Sequence, residues 1–232
     1  MVCIIGLGYV GLPLAQAFAK SLKVIGFDIN NDRIRKLNDD NDNQNLTFTT
    51  NPGEISKADF AIVAVPTPVT KSKEPDLSYI TGAAEIVGRN MKKGSTVILE
   101  STVYPGVTEE IVKPILGEVS GLKCGEKFKI AYSPERINPG DEEHALDKIT
   151  KVVAGIDRKT TEVVAELYSK VAHSIFKAKD IRTAEAAKVI ENVQRDLNVA
   201  LMNELSPIFD KMGLSTKDVS ACCSVISKII SL

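Results

Sequence analysis

Three glycines at fixed offsets, Gly6, Gly8 and Gly11 in Gly6-Leu7-Gly8-Tyr9-Val10-Gly11, follow the apolar run Val2-Cys3-Ile4-Ile5 and open an alanine-rich amphipathic segment. Strand, glycine turn and helix in that order suit the pyrophosphate of a dinucleotide. Gly6 permits the tight turn, Gly8 lets the backbone approach the phosphates, and Gly11 lets the helix pack closely on the strand. The helix N-terminus would receive the negative charge through free amides and its dipole. A second apolar run, Lys23-Val24-Ile25-Gly26-Phe27, ends in Asp28, 22 residues after Gly6, where a carboxylate binds adenosine ribose hydroxyls. An acid there favours NAD over NADP, because a 2'-phosphate would meet like charge. The same side chain could instead cap a helix beginning near Asn31. Arg33 is placed either over the adenine face or as a solvated helix charge.

A second group of candidates lies on a long helical segment, where Lys188 and Asn192 are four residues apart and Arg195 continues the face. An ammonium and an amide together can polarise an alcohol or carbonyl oxygen in a dry site. The alternative is that Lys188 pairs with Glu191 or Glu185 on a wet helix surface. Four cysteines, Cys3, Cys124, Cys222 and Cys223, lack paired or metal-ligand spacing, so no metal site and no disulfide framework is expected. His144 and His173 lie far apart in sequence and read as surface or structural residues.

The elements that must hold these residues are short apolar strands alternating with helix-patterned segments from residue 1 to about 178. This is the pattern of a Rossmann-type doubly wound α/β sheet, mostly parallel, covered on both faces. Further strands are expected at Asp59–Val65, Ser95–Glu100, Lys129–Tyr132, Lys151–Ala154 and Ser174–Phe176. Ligands in such sheets lie beyond the carboxyl ends of the strands. There the chain places Pro66-Thr67-Pro68, then Ser101-Thr102-Val103-Tyr104-Pro105-Gly106, then Ser133-Pro134-Glu135-Arg136-Ile137-Asn138-Pro139-Gly140. Prolines flanking small hydroxylated residues make rigid loops, and three of them after successive strands point to one shared site. From Arg182 to Met212 the chain has no glycine and a single proline, Pro207, and Gly213 stops the pattern. A long helix bent near Pro207 follows from this, then a short helix after Ser215 or Thr216. The polar stretch Asp39–Asn45 reads as a mobile loop.

The 232 residues carry a formal net charge of -1, with 44% hydrophobic and 25% charged residues and no block of like charge. Nucleic acid and anionic membranes are therefore not indicated as partners. No segment reaches the ~18 uninterrupted apolar residues of a membrane span, and the N-terminal apolar run lacks the basic start of a signal peptide. A cytoplasmic protein with reduced thiols is expected.

These segments, with Ala64-Val65-Pro66-Thr67-Pro68, Glu100-Ser101-Thr102 and Ala184-Glu185-Ala186-Ala187-Lys188-Val189-Ile190-Glu191-Asn192, resemble the nucleotide-sugar 6-dehydrogenases. Members of that group act on UDP-glucose, GDP-mannose or UDP-N-acetylmannosamine. Ser-Pro-Glu-Arg-Ile-Asn-Pro-Gly and Glu-Asn-Val-Gln-Arg-Asp-Leu-Asn are most similar to the branch acting on UDP-N-acetylhexosamines. The resemblance implies NAD-dependent oxidation of a sugar C6 alcohol to the uronic acid, with two NAD, in surface polysaccharide biosynthesis. It implies cofactor contacts at Gly6, Gly8, Tyr9, Val10, Gly11, Asp28, Arg33, Pro66, Thr67 and Thr102. Glu135 and Thr102 would orient catalytic water, and Arg136, Ile137, Lys188, Asn192 and Arg195 would contact the UDP-sugar. Lys188 would be the acid/base or oxyanion-stabilising group, with Asn192 beside it.

The resemblance also implies a cysteine nucleophile in a Gly-Gly-His-Cys-type segment, which the 232 residues do not contain. Cys222 and Cys223 lie in Ser220-Ala221-Cys222-Cys223-Ser224, without a glycine turn or nearby histidine. The expected organisation is an NAD-binding domain over 1–178 and a truncated central helical domain over 179–232. A homodimer through residues 183–212 is also expected. Two alternatives stay open: a non-catalytic NAD-binding and dimerisation fragment, and a β-hydroxyacid or 6-phosphogluconate-type dehydrogenase.

Overall fold

A computed structural model describes residues 1–135 and 149–226. Its two compact units are Met1–Ala186 and Ala187–Leu232. In the first unit, eight strands form one sheet: β1 (Val2–Ile5), β2 (Val24–Phe27), β3 (Leu46–Thr49), β4 (Phe60–Val63), β5 (Thr96–Leu99), β6 (Lys129–Tyr132), β7 (Thr150–Gly155) and β8 (Ser174–Lys177). Their order is β3-β2-β1-β4-β5-β6-β7-β8. The first six strands are parallel, and the chain order reverses at β1, where a doubly wound sheet opens a crevice. β7 runs antiparallel to β6 through the pairs Ala131 with Gly155 and Tyr132 with Ala154, and β8 is parallel to β7.

Alternate residues of the strands feed two separate apolar layers, as the period-two geometry of a strand requires. Cys3, Ile5, Val63, Leu99 and Tyr132 pack on one face with α3 (Ser78–Asn90) and α4 (Lys113–Ser120). Val2, Ile4, Ile62, Ile98 and Val153 pack on the other with α1 (Gly11–Ala19) and α5 (Arg158–Tyr168). Burial pushes the Cys3 thiol up to about 12, so it stays protonated within the core.

β3 is absent from the sequence expectation. Only Leu46 and Phe48 of Leu46-Thr47-Phe48-Thr49 are buried, as suits an edge strand. Before it, α2 (Asn31–Asp39) ends and the stretch expected to be mobile is instead held by asparagine contacts. Asn41 Nδ2 donates to Leu46 O at 2.8 Å, Asn43 N to Asn41 Oδ1 at 3.2 Å, and Asn45 Nδ2 to Ala19 O at 3.1 Å. Short amide side chains that read as turn formers thus supply the connection's own hydrogen bonds.

The long helix forms as expected. α6 (Ile181–Lys211) continues through Pro207, and Gly213 takes φ 71° beyond its end, with Leu214 N donating to Phe209 O at 2.9 Å. α7 (Thr216–Ile226) follows, its N-terminus served by Ser215 Oγ, which accepts from Asp218 N at 3.3 Å.

Candidate functional site

At the first turn of the sheet, Gly6 N donates to Phe27 O at 2.9 Å and Gly6 itself takes φ 91°. A Cβ there would stand 2.8 Å from Ala64 O, and one on Gly11 would stand 1.8 Å from Gly6 O. Gly11 is therefore the residue that lets α1 sit against the turn, and any side chain would push the helix off it. Gly8 is different, for a Cβ there meets nothing within 4 Å. Its open side is the space a phosphate group requires. α1 begins after half-buried Val10 with no side-chain cap and no acid in its first turn, and Tyr9 is exposed beside it. Free amides, a positive dipole end and an open glycine fit the pyrophosphate of a dinucleotide.

Asp28, only 6% exposed, closes the second corner. Its Oδ2 accepts from Leu7 N and from Arg33 Nη1, each at 2.9 Å, and its Oδ1 accepts from Asn30 N at 2.9 Å. Burial pushes the Asp28 carboxyl up, but the Leu7 and Asn30 amides and the Arg33 guanidinium outweigh it and hold it below the ordinary carboxylate range. The α2 cap belongs to Asn30, two residues after Asp28; Asn30 Oδ1 accepts from Arg33 N at 3.0 Å, so Asp28 is not the cap.

The proline-bearing segments that start at Pro66, Ser101 and Ser133 follow β4, β5 and β6, which are adjacent parallel strands, so their described residues leave the sheet from one edge. Ser101 Oγ donates to Val65 O at 2.6 Å and ties the first two loops together. Pro66 is exposed, while Thr67, Thr102 and Glu135 are half-buried. Arg136 and Ile137 lie outside the described residues, as does His144.

Beneath these loops lies a charged floor that the sequence reading missed. Glu100, directly after β5, and Lys151, inside β7, form an ion pair with both side chains 0% exposed. Lys151 Nζ also donates to Pro134 O at 3.0 Å and stands 5.3 Å from the Tyr168 ring centroid. Ser133 Oγ donates to Val152 O at 2.8 Å. The Pro134 carbonyl, one residue before Glu135, is thereby fixed to β7. Burial first, and then the Glu100 charge, pushes the Tyr168 phenol far up, so it stays neutral. A charged residue inside an apolar strand run was the available signal for Lys151.

Glu185, near the start of α6, is also fully buried. It accepts from Gly106 N at 2.6 Å and from Thr108 at both N and Oγ1, which caps the π-helical turn Val107–Val112 leading into α4. It is thus no surface partner of Lys188. Within the second unit, Lys188 Nζ contacts Glu191 Oε2 at 2.8 Å and Arg195 Nη2 contacts Glu191 Oε1 at 2.7 Å. Glu191 therefore bridges the two cations; the pairing with Lys188 is the one the alternative sequence reading named, but Lys188 is buried and not on the wet helix surface that reading gave it. Lys188 is 7% exposed and Asn192, one turn on, is half-buried.

The model of the UDP-glucose/GDP-mannose dehydrogenase family NAD binding domain matches residues 1–43 and 39–172, and that of the family's central domain matches residues 182–231. The chain belongs to this family. It is 50% identical over 230 residues to Protein CapL of Staphylococcus aureus, covering 94% of this chain and 54% of that protein. To UDP-N-acetyl-D-glucosamine 6-dehydrogenase of Pseudomonas aeruginosa it is 48% identical over 231 residues, covering 94% and 55%. Among solved structures, the UDP-D-ManNAc dehydrogenase of Pyrococcus horikoshii superposes with a TM-score of 0.86 at 30% identity, covering 97% of this chain and 58% of that one. The chain spans about half the length of the curated relatives it matches. Its Rossmann-type unit is an NAD-binding domain, in agreement with the sequence expectation. Among the described residues no helix is long and apolar enough to cross a membrane.

Proposed function

We propose that this chain serves an NAD-dependent nucleotide-sugar dehydrogenase that oxidises the C6 alcohol of a UDP-N-acetylhexosamine to the uronic acid for surface polysaccharide synthesis in the cytoplasm. The observation that carries the cofactor half is the contrast between Gly8, open for a phosphate, and Gly6 and Gly11, closed by backbone. The relatives' printed activities support the sugar half, the Pseudomonas aeruginosa protein being a UDP-N-acetyl-D-glucosamine 6-dehydrogenase.

When bound, NAD supplies the hydride acceptor. In our assignment Gly6, Gly8, Tyr9, Val10 and Gly11 hold its pyrophosphate, and Asp28 and Arg33 its adenosine. Pro66, Thr67 and Thr102 line the remainder. Thr102 and Glu135 hold a water by hydrogen bonding. Arg136, Ile137 and Arg195 receive the nucleotide sugar, with Lys188 and Asn192 at its reacting oxygen. An ammonium there stabilises negative charge that develops on oxygen, and exclusion of water strengthens the effect. We assign 1–178 to cofactor binding and 179–232 to a central helical domain that pairs two copies through residues 183–212.

Calorimetric titration with NAD, followed by an NADH assay with UDP-N-acetylglucosamine, UDP-N-acetylmannosamine and UDP-glucose, tests the proposal. NAD binding is the expected result, with turnover of an N-acetylhexosamine once a family segment bearing the cysteine nucleophile is supplied to the 232 residues. Binding without turnover of any sugar even then favours a non-catalytic module, and absence of NAD binding overturns the cofactor assignment.

A further inference from the structure

The Asp28–Arg33 pair carries an inference that rests on the NAD reading above and extends it to the choice between dinucleotides. A carboxylate offers about four acceptor positions. Asp28 already fills three, from Leu7 N, Asn30 N and Arg33 Nη1. A ribose diol brings two more donors. Two of the three present donors are backbone amides fixed by the glycine turn and by the start of α2, whereas Arg33 is a side chain 46% exposed. Arg33 is the group that can yield.

A guanidinium released at this corner has a definite chemistry. It binds phosphate through paired hydrogen bonds, and it stands at the first turn of α2, whose dipole also favours an anion. The other charges of that turn are engaged with each other, Arg35 Nη2 lying 3.1 Å from Asp32 Oδ1. We propose that Arg33 is a masked receptor for a 2'-phosphate, and that the Asp28–Arg33 ion pair, rather than the Asp28 charge alone, sets the preference for NAD over NADP.

The two explanations predict different variants. If Asp28 acts by repulsion alone, neutralising it lets NADP approach the affinity of NAD and no further. If it also masks Arg33, neutralising it makes NADP the better ligand.

The test is calorimetric titration of the full chain and of Asp28→Asn, Arg33→Met and the double variant with NAD and NADP, folding being checked by circular dichroism. Asparagine keeps one acceptor oxygen, enough for one of the Leu7 and Asn30 amides, which donate to different oxygens of Asp28; should it fail to fold, Asp28→Ser takes its place. Asp28→Asn is expected to gain about tenfold or more in NADP affinity and to prefer NADP, and adding Arg33→Met is expected to remove that gain. Equal NADP affinity in Asp28→Asn and the double variant overturns the inference while leaving the NAD site intact. Failure of the parent chain to bind NAD overturns both.

Discussion

Glu185 takes two hydrogen bonds from Thr108, at 2.9 Å from its amide and 2.7 Å from its hydroxyl, across 77 residues of sequence. With the Gly106 amide at 2.6 Å, three donors at the head of one helical segment converge on one buried carboxylate. Glu185→Ala leaves all three unpaired and is expected to cost on the order of 3 kcal/mol in urea unfolding. Glu185→Gln keeps one acceptor oxygen and is expected to lose less. Equal stability of both variants and the parent would mean that water replaces the carboxylate.

The glycines separate folding from binding. Gly8→Ala, whose new methyl meets nothing within 4 Å, is expected to keep its melting temperature yet bind NAD about tenfold more weakly in titration. Gly11→Ala, whose methyl would stand 1.8 Å from Gly6 O, is expected to lose both. A stable Gly11→Ala protein with normal NAD affinity would contradict the packing role.

Lys151→Met strands the Glu100 carboxylate in the core, which is expected to cost about 3–5 kcal/mol at neutral pH. Adding Glu100→Gln removes the charge and is expected to recover much of the loss. Denaturant titrations of both variants at neutral pH check both statements.

Asp157 caps α5, and the Thr160 amide, followed by the Lys129 ammonium, lowers its carboxyl to about 2. Asp59 is lowered as well, chiefly by Lys92 and the N-terminal amine. A folded pKa below the unfolded one gives stability that is present above about pH 4 and lost as pH falls toward the folded value. Melting temperature is therefore expected to drop below pH 4, and Asp157→Asn, which still caps but does not titrate, is expected to flatten the part due to Asp157.

Along α6, the exposed side chains Ile190, Val193, Leu197, Leu201 and Ile208 recur at helical spacing on one stripe. If this stripe joins two copies, sedimentation is expected to show a dimer that Leu197→Glu converts to monomer. A parent chain that stays monomeric at high concentration refutes the pairing.

The sequence made the glycine turn, seven of the eight strands and the long helix legible, because each announces itself locally. Val2-Cys3-Ile4-Ile5 before Gly6 has one reading in either hydropathy or turn chemistry. β3 escaped because only two of its residues face inward. Glu185 escaped because its partners, Gly106 and Thr108, are distant in sequence, and a glutamate beside a lysine on a helix looks like a surface charge. Glu100 and Lys151 escaped for the same reason: each ends or enters an apolar run where a charge suggests a boundary. Arg33 was placed near the cofactor by sequence, but its engagement with Asp28 needs coordinates to be seen.

The reversal between β6 and β7 has an evolutionary corollary. A parallel successor would have obliged the chain to cross the sheet through a dozen or so intervening residues, usually as a helix. Running backwards instead, the chain leaves at Tyr132 and re-enters at Thr150 on a common side, so pairing does not dictate the length between them. Closing a longer excursion costs only about 0.6 kcal/mol per doubling. Descendants of one ancestor could therefore lengthen or shorten the connection between Tyr132 and Thr150 while inheriting the dinucleotide crevice unchanged.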